Sequence, residues 1–69
     1  MDYDEIVKML NYLMGGQVVL VDDGNVIARG TLVSIVGRGQ FSVGGVRFSP
    51  TDVHEIDGVE IILIGGTSS

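Results

Sequence analysis

Between Asp22 and Gly58, short apolar and β-branched runs are cut at Asp23-Gly24, Gly44-Gly45, Ser49-Pro50 and Asp57-Gly58. Two-residue Asp-Gly and Gly-Gly loops supply the positive φ angles of type I′ and related turns, so each sets a hairpin and its register. Such punctuation confines the chain to a small, tightly turned β structure. Its 69 residues form one domain, 1–69. A chain this short buries roughly 60% of the surface its unfolded form exposes, which leaves a lone core marginal. There is no cysteine, so neither disulfides nor a thiolate metal site reinforces it. Self-association is the remaining route, and a homo-oligomer is the expected state.

A helix over about 2–14 precedes the β region. Asp2 serves as N-cap with Glu5 three residues on, and Gly15-Gly16 supplies the stop. Tyr3, Ile6, Val7, Leu10, Leu13 and Met14 recur at the spacing of one buried helical face. Met9 and Tyr12 fall off that stripe, either as ordinary exposed apolar residues or as a contact surface for a subunit or partner.

The barrel region spans about 17–56. Strand one runs from about Gln17 to Asp22 and strand two from about Asn25 to Val36, bent at Gly30, where a missing Cβ lets one strand serve both halves of a small barrel. Gln40–Val43 and Val46–Phe48 form a hairpin in which Val43 faces Val46 and Phe41 faces Phe48, with Ser42 and Arg47 paired on the wet face. Ser49-Pro50-Thr51-Asp52 reads as a single helical turn with Ser49 as N-cap and Asp52 reaching back. A short strand, Val53 to Ile56, follows; Asp57-Gly58 reverses the chain into a strand over about 59–64, and 65–69 is a polar tail. Val18–Val21, Leu32-Val33 with Ile35-Val36, and Ile61–Ile64 do not alternate, so both of their faces are expected to be covered. Ile61–Ile64 either pairs with another chain, with Ile62 and Ile64 at the interface, or adds a sixth strand to its own barrel.

The N-terminal helix, bent second strand, hairpin, one-turn helix and short closing strand together resemble the Sm-like superfamily, which includes the Hfq type and the archaeal and eukaryotic Sm-like proteins. Gly30-Thr31-Leu32-Val33-Ser34-Ile35 through Gln40-Phe41-Ser42-Val43 looks like the first Sm motif, and Ser49-Pro50-Thr51-Asp52-Val53-His54-Glu55-Ile56 like the second. The resemblance implies a mainly β fold with an N-terminal α-helix: a small, five-stranded, strongly bent Sm-like or SH3-like barrel, here with an extra C-terminal strand. It also implies a non-catalytic module that self-associates and contacts RNA. Where Sm-like RNA sites carry an aspartate, this chain has Val36; the stacking region is Gly37-Arg38-Gly39, and Ser49-Pro50 stands in place of the basic pair. Gln40 is left as a base-edge contact and Arg38 and Arg47 as phosphate contacts, so RNA binding is expected to be weak or indirect.

A second resemblance is to the Rof branch of Rho inhibitors. Asp2-Tyr3-Asp4 before the helix, the strand ending at Asp23-Gly24, the acidity and the apolar extension past Ile56 carry it. It implies an acidic regulator that docks on a basic RNA- or DNA-binding protein, with carboxylates such as Asp52 and Glu55 at the contact. Nine acidic against four basic residues give a net charge of −5, which repels free nucleic acid unless the cations converge on one face.

No catalytic constellation is present. The one histidine, His54, has no partner beyond Glu55, placed on the opposite strand face, and reads as a surface or interface residue. Asp22-Asp23 before Gly24 is ordinary turn chemistry, so no metal and no cofactor are expected. An acidic start and the lack of an apolar run of ~18 residues predict a cytoplasmic protein with no membrane association.

Overall fold

The computed structural model describes residues 1–64, and the tail at 65–69 lies outside the described residues. Helix α1 (Tyr3–Leu13) starts as its cap chemistry predicts: Asp2 Oδ1 accepts the Glu5 N–H at 2.9 Å. It ends at Met14, after which Gly15 takes a left-handed φ of +83°. Ile6 and Leu10 are buried, and Leu13 and Met14 pack beside them. Two residues depart from the stripe. Tyr3 is 54% exposed. Met9 lies off the stripe yet packs against the core, where its flexible thioether fills the margin beside Leu10.

Seven strands follow: β1 (Gln17–Asp22), β2 (Asn25–Thr31), β3 (Val33–Ile35), β4 (Gln40–Val43), β5 (Val46–Phe48), β6 (Val53–Asp57) and β7 (Glu60–Leu63). A single 3₁₀ turn, η1 (Pro50–Asp52), links β5 to β6. They form a four-stranded sheet in the order β2-β1-β7-β6 and a three-stranded sheet in the order β3-β4-β5. Among the described residues no closed five-stranded barrel forms, since consecutive β5 and β6 do not pair.

The long second strand does pass from one half of the structure to the other, but the break falls at Leu32 rather than Gly30. Leu32 is fully buried. Its N–H donates to the Gly16 carbonyl at 3.0 Å and its carbonyl accepts the Gly15 N–H at 2.9 Å. Both backbone groups of the pivot are thereby satisfied inside the core. Gly30 marks a close approach instead: a Cβ there would lie 3.3 Å from Gly44 N, and one on Gly44 would lie 2.8 Å from the Arg29 carbonyl oxygen. The two sheets touch at this point. Val36, expected in the strand, belongs to the 36–39 loop and is 93% exposed.

The β4–β5 hairpin has the register its Gly44-Gly45 loop predicts, Phe41 opposite Phe48, Ser42 opposite Arg47 and Val43 opposite Val46. The two Phe rings stack with centroids 6.1 Å apart inside the core. At η1, Asp52 Oδ2 accepts the Ser49 N–H and the Asp52 N–H donates to the Ser49 carbonyl, each at 2.9 Å.

The last strand takes the second of its two expected arrangements, pairing within its own chain. β7 is not an open edge: it lies between β1, to which it is parallel, and β6, to which it is antiparallel. The Ile64 N–H donates to the Asp52 carbonyl at 2.9 Å and ties its end to η1. The preceding loop is Gly58-Val59, with Asp57 paired to Glu60, one residue later than Asp57-Gly58. Positive φ is needed only at its first position, which Gly58 supplies at +62°.

Gly44 and Gly45 both sit at positive φ, +55° and +87°, but only Gly44 has no room for a methyl group. Gly45→Ala is expected to cost about 1–2 kcal/mol from backbone conformation, and Gly44→Ala at least about 1 kcal/mol more because the Arg29 carbonyl must move. Urea denaturation of the two variants compares these costs directly.

Candidate functional site

The three residues expected to touch nucleic acid meet on the smaller sheet. Gln40 and Ser42 share a strand face, and Arg47 pairs with Ser42, so Gln40 and Arg47 lie on the same outer face of β4 and β5. Arg38 is in the 36–39 loop at the end of that sheet, its N–H bonded to the Ile35 carbonyl at 3.2 Å. No aromatic ring joins them on this face, because Phe41 and Phe48 both point into the core.

A neighbouring feature was not foreseen. A groove of about 260 Å³ runs between α1 and the 36–39 loop, lined by Tyr3, Val7, Val36, Gln40 and Pro50 among others. Tyr3 and Gln40 both line it. Tyr3 also lines a second groove of about 280 Å³ with Met1, Ile6, Pro50 and Val53. In sequence, Tyr3 falls on the core stripe, and only its place in the first helical turn sets it apart.

The residues expected at a protein interface are scattered. Tyr12 is 82% exposed on α1, whereas Met9 packs against the core. Ile62 is half-buried on the outer face of the four-stranded sheet, and Ile64 is exposed at the end of β7. Asp52 is exposed, but its carboxylate already holds the Ser49 N–H and hydroxyl. Glu55 differs from the expected geometry. A bulge in β6 between Val53 and Glu55 turns His54 and Glu55 to the solvent together, with His54 Nε2 3.7 Å from Glu55 Oε1. An extra residue in one strand breaks the alternation that would have set them on opposite faces. Glu55 pairs with Ile62 and Asp57 with Glu60, so Glu55, Asp57 and Glu60 share the outer face of the sheet.

Among the described residues no three His, Cys, Asp or Glu side chains gather as a metal site. Asp22 Oδ1 is buried without a hydrogen-bond partner there, at the end of β1 where the strand enters its turn. Among the described residues no helix is long and apolar enough to cross a membrane. No family model, curated protein or solved structure matches the chain.

The cap geometry makes Asp52 a structural residue whatever else it contacts. Asp52→Ala is expected to lower the unfolding free energy by about 1 kcal/mol, and Asp52→Asn by less, because the amide oxygen still accepts from Ser49. Thermal or urea unfolding measures the difference.

Proposed function

We propose that the chain is a non-catalytic Sm-like interaction module of the cytoplasm that self-associates and contacts RNA weakly. On this reading the two sheets are the halves of a strongly bent, incompletely closed barrel, with β7 as the added strand. The observation that carries it is the opening between β5 and β6. These consecutive strands end different sheets and leave their outer backbone edges unpaired with each other. An open edge is a template for another strand. Addition of β5 from one copy to β6 of the next is head-to-tail, and such contacts close into a ring when the rotation allows. The Ile56 N–H on the outer edge of β6 donates to Met1 Sδ at 3.3 Å within the same chain, a weak bond that a neighbouring strand would displace.

The RNA component rests on the Tyr3–Gln40 groove and on Arg38 and Arg47. A base needs a π-face and an edge partner, and Tyr3 and Gln40 supply one of each. Two cations against a net charge of −5 keep the phosphate contribution small.

A second reading is favoured by the gathering of Glu55, Asp57 and Glu60 on the outer face of β6 and the adjoining β7. It is an acidic regulator that docks on a basic nucleic-acid-binding protein.

Native mass spectrometry is expected to give a ring of about five to seven subunits. A strict monomer at high micromolar concentration overturns self-association. Titration of oligo-U at low salt is expected to give a Kd above about 10 μM, weakened further by Tyr3→Ala and by Gln40→Ala. Sub-micromolar affinity abolished by Gln40→Ala would overturn the assignment of weak binding.

A further inference from the structure

The non-alternating runs Val18–Val21 and Ile61–Ile64 become neighbouring strands in the middle of the larger sheet. Their inner residues Val18, Leu20 and Ile61 are buried in the core. Their outer residues form a second apolar surface. The strand registers order that surface into rows. One row reads Arg29, Val19, Glu60 and Asp57 across β2, β1, β7 and β6. The next reads Val26, Val21, Ile62 and Glu55 across the same four strands. Val26, at the β2 margin, is 48% exposed, while Val21 and Ile62 in the middle are half-buried. The face thus has Val19, Val21 and Ile62 at its centre beside one carboxylate, Glu60, with the cation Arg29 on one margin and Asp57 and Glu55 on the other.

We propose that this outer face binds the same face of a second copy, forming a two-fold dimer with Arg29 of each copy against Asp57 of the other. The proposal rests on the self-associating reading and assigns it a surface distinct from the β5 and β6 edges. The pattern on the face selects the partner. A two-fold axis in the interface, parallel to the strands and between β1 and β7, sets β2 of one copy over β6 of the other and leaves each row facing itself. Arg29 then meets Asp57, Val21 meets Ile62, and Glu60 lies over Val19, one strand from the facing Arg29. The same rotation puts Val26 over the aliphatic stem of Glu55. Packed sheets lie about 10 Å apart with strands nearly aligned, a spacing that these β-branched side chains fill from both sides. Four strands about 4.8 Å apart, over roughly five residues each, give a footprint of about 300 Å² per copy. That is well below the roughly 800 Å² per partner of a standard interface, so dissociation is expected at or above the order of 100 μM. The long-range repulsion of two acidic chains makes the Arg29–Asp57 contacts decisive for orientation.

Sedimentation velocity from about 5 to about 500 μM tests the dimer. Arg29→Glu sets carboxylate against carboxylate and is expected to raise Kd at least tenfold. The double variant Arg29→Glu/Asp57→Arg restores the pairing with reversed sign and is expected to regain most of the affinity. Ile62→Glu, with folding checked by circular dichroism, is expected to abolish the dimer by charging its centre. Charge reversal that weakens association, followed by recovery in the double variant, supports the face-to-face dimer, and the Arg29 pair decides the matter even if Ile62→Glu fails to fold. Association unchanged by both Arg29→Glu and Ile62→Glu overturns this surface and leaves edge-to-edge assembly standing. A strict monomer across the range overturns both.

Discussion

The reciprocal hydrogen bonds between Leu32 and the Gly15-Gly16 turn hold the two halves of the molecule in register. Leu32 is where the chain leaves the four-stranded sheet and enters the three-stranded one, so neither ladder satisfies its backbone. An unpaired buried amide or carbonyl costs about 1–3 kcal/mol, and the glycine turn at the end of α1 satisfies both. The same two bonds fix where α1 ends relative to the sheets. The helix, the bend and the start of β1 are thus set together, and the packing of Ile6 and Leu10 onto the strands follows.

From that pivot the two sheets diverge, share one core, and bring their backbones close again where Gly30 and Gly44 approach. The resulting core is small: eleven buried apolar residues shared by a helix and two sheets. Apolar surface is left outside it, on the outer face of β1 and β7 and in the grooves beside Tyr3. A domain of this size gains a large share of its stability from whatever covers such surface. On the proposed self-association, stability and association are linked.

Local chemistry was the legible part of the sequence. The Asp2 cap, the Gly44-Gly45 hairpin and the Ser49-Pro50-Thr51-Asp52 turn depend on residues close in the chain, and all three have the expected form. What misled was long-range. Ile61–Ile64 reads equally as an edge or as a strand of its own sheet because nothing local says that it inserts between β1 and β6. The bulge that turns His54 beside Glu55 leaves no mark in composition, since neither Gly nor Pro signals it. Met9 and Tyr3 exchange roles relative to the helical stripe, and helical periodicity does not carry the extent of the surface on which a helix lies. For the candidate site, Gln40 and Arg47 were legible through the hairpin register. The groove that joins Gln40 to Tyr3 depends on how α1 docks, which no local pattern encodes.

The position of β7 also governs the order in which the molecule assembles. Val19 pairs with Glu60 and Asp22 with Leu63, so β1 is made early in synthesis and waits for its second neighbour until nearly the whole described chain has been extended. β6 has no other strand within its sheet to pair with. The smaller sheet closes through short hairpins, whereas the larger one closes through its most distant segments, and loop closure makes such contacts slow. Until β7 arrives, Val18–Val21 is an uncovered apolar strand with a free edge. That interval is the chain's period of greatest exposure to misassociation on the ribosome.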